Sequence, residues 1–245
     1  MHASGQRESP TAGASLQGGK VSSVAHAGSF IVKKQEQTNN PYDMCTWRLV
    51  SGCKDCTIAD RLKCRFKLGD LLRFMGLFLL FAIPAIVGMI LGGYGWYLLG
   101  WVGLAVIFFG FWEIRILCSH CPYYAEKGFT LHCIANYGCP KFWKYHPEPI
   151  SNSEKIQLLI GFTLMCGYPF PFLILGGQFI LFLLTAWGSI MFFWVLQKYT
   201  CSKCVNFSCL LNRVPKEVVD EYLKRNPMMR KAWEENGWQI GGATS

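Results

Sequence analysis

Long stretches of this chain contain no Asp, Glu, Lys or Arg. These side chains are absent from residues 74–91, 96–112 and 156–197. A bilayer core of about 30 Å is crossed by roughly 20 apolar residues in a helix. The longest stretch divides at Gly176-Gly177, so the charge-free stretches predict four transmembrane helices. Four such helices carry more apolar surface than one soluble domain of this length could bury.

The two short connections between these runs lack positive charge. Residues 92–95 and 176–177 contain no Lys or Arg, whereas all 24 such residues lie in the other segments. Basic residues concentrate on the cytoplasmic side of membrane proteins. We therefore predict an all-α integral membrane protein, with four transmembrane helices as two tandem hairpins at residues 71–117 and 156–197. Both termini and the cysteine-rich loops are expected in the cytoplasm, at the cell membrane.

The remaining segments divide by composition. Residues 1–41 are polar, lack the apolar run of a signal peptide and are predicted to form a disordered tail. Residues 42–70 form a cysteine-containing segment beside the first span, and residues 118–155 form a cysteine-rich central loop. Residues 198–245 carry a cysteine motif and an amphipathic helix over 214–238, which Asn226-Pro227 is predicted to divide. That helix is expected to lie on the membrane, on a partner or over the cysteine loops.

The net charge of +9 does not indicate nucleic-acid binding. The basic residues are interspersed with acidic ones and match no nucleic-acid-binding motif. Membrane lipid is the expected partner of this charge. Glu113 and Arg115, near the end of the second span, are expected to extend towards the lipid headgroups.

Twelve cysteines would indicate disulfides in a secreted protein, but thiols on a cytoplasmic face are kept reduced. Their spacing is C-x7-C-x2-C-x7-C before the first span, C-x2-C-x11-C-x5-C in the central loop and C-x2-C-x4-C after the fourth span. A C-x2-C pair lets two thiolates bind one metal from a single turn. Cys166, inside the third span, is expected to serve packing only. The candidate metal ligands are Cys45, Cys53, Cys56, Cys64, Cys118, Cys121, Cys133, Cys139, Cys201, Cys204 and Cys209.

Zinc and iron–sulfur clusters both accept four thiolates. The compact ferredoxin run C-x2-C-x2-C-x3-C-P is absent, although Cys121-Pro122 and Cys139-Pro140 show the Cys-Pro step found beside many clusters. A structural zinc site needs no membrane position, whereas an electron carrier gains from one. The preferred cofactor is therefore an iron–sulfur cluster, with zinc as the alternative.

One tetrapeptide pattern, C-S-x-C, occurs at residues 118–121 and again 83 residues later at 201–204. The Gly-Gly steps at 92–93 and 176–177 keep nearly the same offset. This recurrence predicts a duplicated helical hairpin whose halves have the same orientation. The two C-S-x-C turns are then expected to meet at one face.

No catalytic acid, base or nucleotide loop is evident, so whether the chain is an enzyme stays open. The leading hypothesis is an iron–sulfur electron-transfer protein or the anchor subunit of a redox complex, with a redox or assembly partner on the cytoplasmic side. The alternatives are a structural-zinc scaffold that recruits partners and a membrane thiol oxidoreductase with a low-pKa C-x2-C thiol. The layout is similar to that of membrane palmitoyltransferases, which carry zinc in the central loop. Their Asp-His-His-Cys signature is absent, and His132-Cys133 is the nearest fragment.

Overall fold

The computed structural model describes residues 40–48, 53 and 55–242. Except for its last two residues, the tail predicted at 1–41 lies outside the described residues. The described part of the chain is helical, and an isolated antiparallel bridge between Thr130 and Pro140 is the one β interaction found there.

Four helices in the described residues are long and apolar enough to cross a membrane, which confirms that part of the prediction. In each helix only 17 to 33% of the most apolar window is buried inside the protein. Large apolar side chains therefore face outward along all four helices, as expected where the surroundings are lipid. The four helices are α1 (Leu68–Leu91), α2 (Tyr97–His120), α3 (Asn152–Leu175) and α4 (Phe179–Lys203).

Three of these helices contain irregular turns. Helix α3 consists of Asn152–Gly167 and Pro169–Leu175, because a proline cannot donate the backbone hydrogen bond that would continue the first segment. Helix α2 contains a π-helical turn at Phe108–Trp112. Helices α2 and α4 both end in a 3₁₀ turn, at Cys118–His120 and Cys201–Lys203. These last two turns carry the C-S-x-C motifs.

The most extensive contact between spans joins α1 and α4. A Cβ atom added to Gly188 of α4 would lie 2.6 Å from the carbonyl oxygen of Leu80 in α1. Only glycine permits the two backbones to approach this closely. Nearby, the Phe192 ring packs edge-on against Phe74 and Phe78, with ring centroids 5.6 and 6.3 Å apart.

The two glycine turns lie against each other. A Cβ atom on Gly176 would lie 2.7 Å from the Cα atom of Gly92. The turn after α1 and the turn after α3 therefore share one end of the bundle. The cysteine-bearing segments connect to the other ends of these helices.

The described parts of the amino-terminal, central and carboxy-terminal segments pack into one unit, here called the head. It includes short 3₁₀ turns at Cys45–Trp47 and Pro122–Ala125 and the helices α5 (Lys216–Lys224) and α6 (Pro227–Glu235). The division predicted at Asn226-Pro227 is present, because two helices meet at Asn226, and they pack over the cysteine-bearing segments. All three segments contribute buried side chains to one core, among them Met44, Ile58, Leu62, Tyr123, Leu131, Val218, Tyr222 and Trp233.

Asp220 of α5 fixes the carboxy-terminal residues to the head. Its carboxylate accepts hydrogen bonds from the Trp238 indole at 2.8 Å and from the Gly241 amide and the Lys216 ammonium at 2.9 Å each. Burial opposes ionisation of this carboxyl, but the hydrogen bonds from Gly241, Lys216 and Trp238 outweigh it and lower the pKa of Asp220.

Candidate functional site

The two C-S-x-C turns share one local geometry. The Ser119 hydroxyl donates to the carbonyl of Arg115 at 2.5 Å, and the Ser202 hydroxyl donates to the carbonyl of Lys198 at 2.7 Å. Carbonyl groups in the last turn of a helix have no partner within the helix. The serine of each motif satisfies such a carbonyl four residues earlier, so the recurrence in the sequence corresponds to a recurrent helix ending.

Seven thiols line one cavity of about 340 Å³ where the spans meet the head, one of them Cys166 inside α3 and the other six at helix ends or in the head. The two C-S-x-C pairs, which the repeat predicted to meet, both line it. A side-chain amide joins their segments, because Asn206 donates to the carbonyl of Leu117 at 3.0 Å. We call these six residues the cavity thiol cluster: Cys118, Cys121, Cys133, Cys201, Cys204 and Cys209.

The cavity thiol cluster is shielded from solvent. Cys118 and Cys121 are about 5% exposed. Burial, followed by the neighbouring thiols Cys133 and Cys204, raises the pKa of Cys121 well above its ordinary value. Burial also raises the pKa of Cys209 to about 11. In this environment a thiolate needs a positive charge beside it, because burial penalises the charged form.

An acid and an amide accompany the thiols. Glu113, in the last turns of α2, is 5% exposed, and the Asn136 side-chain amide donates to its Oε2 atom at 2.9 Å. The same amide nitrogen donates to the Cys118 sulfur at 3.2 Å. The prediction that Glu113 extends to the headgroups is therefore wrong. Its side chain points into the protein, where the Asn136 amide donates a hydrogen bond that lipid chains could not provide.

The amino-terminal cysteines form a second site. Cys45, Cys53, Cys56 and Cys64, here called the amino-terminal thiol cluster, line a cavity of about 880 Å³ beside the end of α4 and Arg225. Burial, followed by the charges of the other three thiols, raises the pKa of Cys64 to about 12.

Side-chain N–H groups point at three of these sulfur atoms. Arg225 donates to the Cys56 sulfur at 3.3 Å and Asn226 donates to the Cys45 sulfur at 3.5 Å. Arg65 approaches the Cys53 sulfur at 3.7 Å. Hydrogen bonds from cations and amides stabilise the thiolate form of a cysteine. Burial nevertheless raises the pKa of Cys45 above its ordinary value, against the lowering effect of the Asn226 hydrogen bond.

The grouping of the cysteines differs from their spacing in the chain. Cys133 lies with the cavity thiol cluster, but Cys139, which the spacing placed in the same group, is not among the described residues that line either cavity. Its carbonyl accepts a hydrogen bond from the Leu131 amide at 2.9 Å. Cys166 packs in the apolar core of the spans and also lines the first cavity.

Sequence reasoning missed the polar groups beside the thiols. Glu113 was singled out in the sequence, but the direction of its side chain was not, although an acid inside a span commonly faces the protein interior. Asn136, Arg225 and Asn226 had no signal in the sequence, because each reaches a thiol that is distant along the chain.

Among the described residues, the thiols line the walls of two cavities, and their sulfur atoms do not converge on one metal position. Across residues 40–48, 53 and 55–242, no three His, Cys, Asp or Glu side chains are arranged so that they could hold a metal ion. A zinc ion draws four thiolates to about 2.3 Å, so the side chains would have to move inward to bind one.

Comparison with models of protein families, with curated proteins and with solved structures found no match to this chain.

Proposed function

We propose that this chain is a membrane-anchored metal–thiolate protein, preferably iron–sulfur, that transfers electrons or anchors a redox complex. In this proposal the four spans form two tandem hairpins in the cell membrane. Both termini and both thiol clusters are on the cytoplasmic side, where a redox or assembly partner would dock. The positions of all 24 Lys and Arg support this orientation.

The observation that carries the proposal is that ten of the eleven predicted metal-ligand cysteines line two cavities at one end of the membrane bundle. None of the twelve cysteines is in a disulfide. Cysteines from segments that are far apart in the chain converge there, whereas cysteines used only as small apolar side chains would be scattered. A thiol-ligated cofactor explains the convergence.

The donor set fits a polynuclear cluster better than a single ion. Thiols spread around a cavity suit a group whose metal atoms are themselves spread out, whereas one ion needs all four ligands at one centre. The N–H groups of Arg225 and Asn226 point at thiol sulfurs, and hydrogen bonds to sulfur help to set the reduction potential of iron–sulfur clusters.

The raised thiol pKa values argue against a thiol oxidoreductase. A reactive C-x2-C cysteine needs a lowered pKa so that its thiolate is populated near neutral pH. Burial instead raises the pKa of Cys121 and of Cys204. A bound cation would favour the same thiolates, which is the role of a metal.

A bound cluster would supply one-electron chemistry, and the protein groups would hold and tune it. Cys118, Cys121, Cys201 and Cys204 would bind from the two matched turns, with Cys133 and Cys209 beside them. Asn136 would keep its hydrogen bond to the Cys118 sulfur.

The test is metal analysis of the full chain, purified in detergent without oxygen. Iron with acid-labile sulfide and visible absorption is expected. Replacing Cys118 and Cys121 with Ser should remove metal from the cavity thiol cluster, whereas Cys166→Ser should retain the wild-type content. Colourless protein with zinc would favour the scaffold alternative, and protein without metal would refute the proposal.

The orientation is tested separately with reporter fusions. Fusions at Tyr94 and at Gly177 should report the side opposite the cytoplasm, and a fusion at the carboxy terminus should report the cytoplasm. A carboxy terminus on the far side would place the thiols in an oxidising compartment in many cells, and the proposed function would then fail.

A further inference from the structure

The cavity beside the thiols extends into the spans. All four membrane helices contribute aromatic side chains to its walls, within roughly 10 residues, or about 15 Å, of the helix ends that join the head. We call this part the apolar limb, and it is lined by Phe74, Phe78, Phe109, Phe162, Phe192 and Phe193. The whole cavity, including the part beside the cavity thiol cluster, has a volume of about 340 Å³, which lies at the lower end of the range of about 300–1,000 Å³ that is usual for small-molecule sites.

One end of the cavity is polar. The Asn136 amide donates to the Oε2 atom of Glu113 at 2.9 Å, and the Glu113 side chain lines the cavity. A carboxyl group can accept a hydrogen bond from a hydroxyl or, when protonated, donate one to a carbonyl. A buried polar group at the end of an apolar cavity orients a ligand that has one polar edge.

We propose that the apolar limb binds a membrane-soluble quinone, with an oxygen of its ring directed at Glu113. The aromatic walls match a flat ring with an apolar tail, and the acid matches a carbonyl or hydroxyl oxygen. The inference rests on the proposed function, because a quinone is the lipid-soluble class of molecule that exchanges electrons with a redox centre. The cavity thiol cluster lines the same cavity.

The probe is a fully substituted benzoquinone with one isoprenoid unit, since a ring without open positions does not undergo addition by thiols. Its affinity for the full-length protein in detergent is measured by quenching of tryptophan fluorescence. An alkylbenzene of the same size, which lacks ring oxygens, is the comparison ligand, and its affinity is measured by its displacement of the quinone. The quinone is expected to bind at least about tenfold more tightly, the factor that one hydrogen bond to a charged or buried group commonly provides.

A larger side chain in the apolar limb should prevent the quinone from binding. Ser189 of α4 and Cys166 of α3 both line the cavity, so Ser189→Phe and, independently, Cys166→Phe are each expected to weaken binding at least about tenfold. Val106→Phe is the matched control, because Val106 is 56% exposed on the outer face of α2. Thermal midpoints of the three variants show which of them are folded, and folded variants are compared.

Equal affinity for the quinone and the alkylbenzene would overturn the proposal and identify the limb as a lipid site. Unchanged affinity in a folded Ser189→Phe or Cys166→Phe protein would also overturn it. The titration is run on protein as purified and after metal removal. If the purified protein contains no iron but binds the quinone, this inference holds and the electron-transfer function fails. If it contains iron and sulfide but does not bind the quinone, the electron-transfer function holds and this inference fails.

Discussion

The contact between α1 and α4 should depend on a single glycine. A Cβ atom at position 188 would lie 2.6 Å from the Leu80 carbonyl oxygen and 3.1 Å from the Phe81 Cα atom, whereas ordinary contacts begin at 3.4 Å. Both obstacles are backbone atoms, so no side chain can rotate away. Gly188→Ala must therefore separate the helices by about 0.8 Å. Overpacking of this kind destabilises by about 1–3 kcal/mol.

Gly76→Ala in α1 is the matched control, since a Cβ atom there would meet nothing within 4 Å. It should be neutral or stabilising, because alanine favours a helix over glycine by up to about 1 kcal/mol. Thermal unfolding in detergent can be followed with a fluorogenic maleimide, which reacts as buried thiols such as Cys118 become exposed. For a chain of this length 1 kcal/mol corresponds to about 2–4 °C. Equal midpoints for the two variants would refute the close approach of α1 and α4.

Three further variants test the head and the start of α3, each by its thermal midpoint. Asn226→Ala leaves the Cys45 amide and the Tyr222 carbonyl without their 2.7 Å partner and should cost about 2 kcal/mol or more, whereas a cost below about 0.5 kcal/mol would contradict these bonds. Asp220→Asn should destabilise most at neutral pH. The lowered pKa of Asp220 stabilises the fold above the usual value of 3.8, and this stabilisation is lost as the pH falls through the lower folded value. A deficit that does not shrink below pH 3.8 would count against the lowered pKa. Ser151→Ala removes the capping box of α3 and should cost about 1 kcal/mol, and an unchanged midpoint would show that the cap is dispensable.

Several features could be predicted from local sequence. The four spans follow from charge-free runs, because a membrane helix satisfies its own backbone hydrogen bonds and only length and apolarity decide its existence. The C-S-x-C turns are also local, since each serine hydroxyl donates to a carbonyl four residues earlier. The end of the apolar run fixes where that helix stops. The division of the last helix at Asn226-Pro227 was also visible, because proline is tolerated in the first turn of a helix but not in its interior.

Tertiary structure decided which thiols are neighbours. The repeat predicted that the turns bearing Cys118 and Cys201 would meet, and both line one cavity, whereas Cys139, which the spacing grouped with Cys118, lines neither cavity. The direction of Glu113 was likewise invisible in sequence, because it depends on Asn136, a partner 23 positions away. Local patterns determine helices and their ends, whereas the site is made by contacts between distant segments. Such contacts depend on packing, as in the approach of Gly188 to α1, and leave no periodic signal in one sequence.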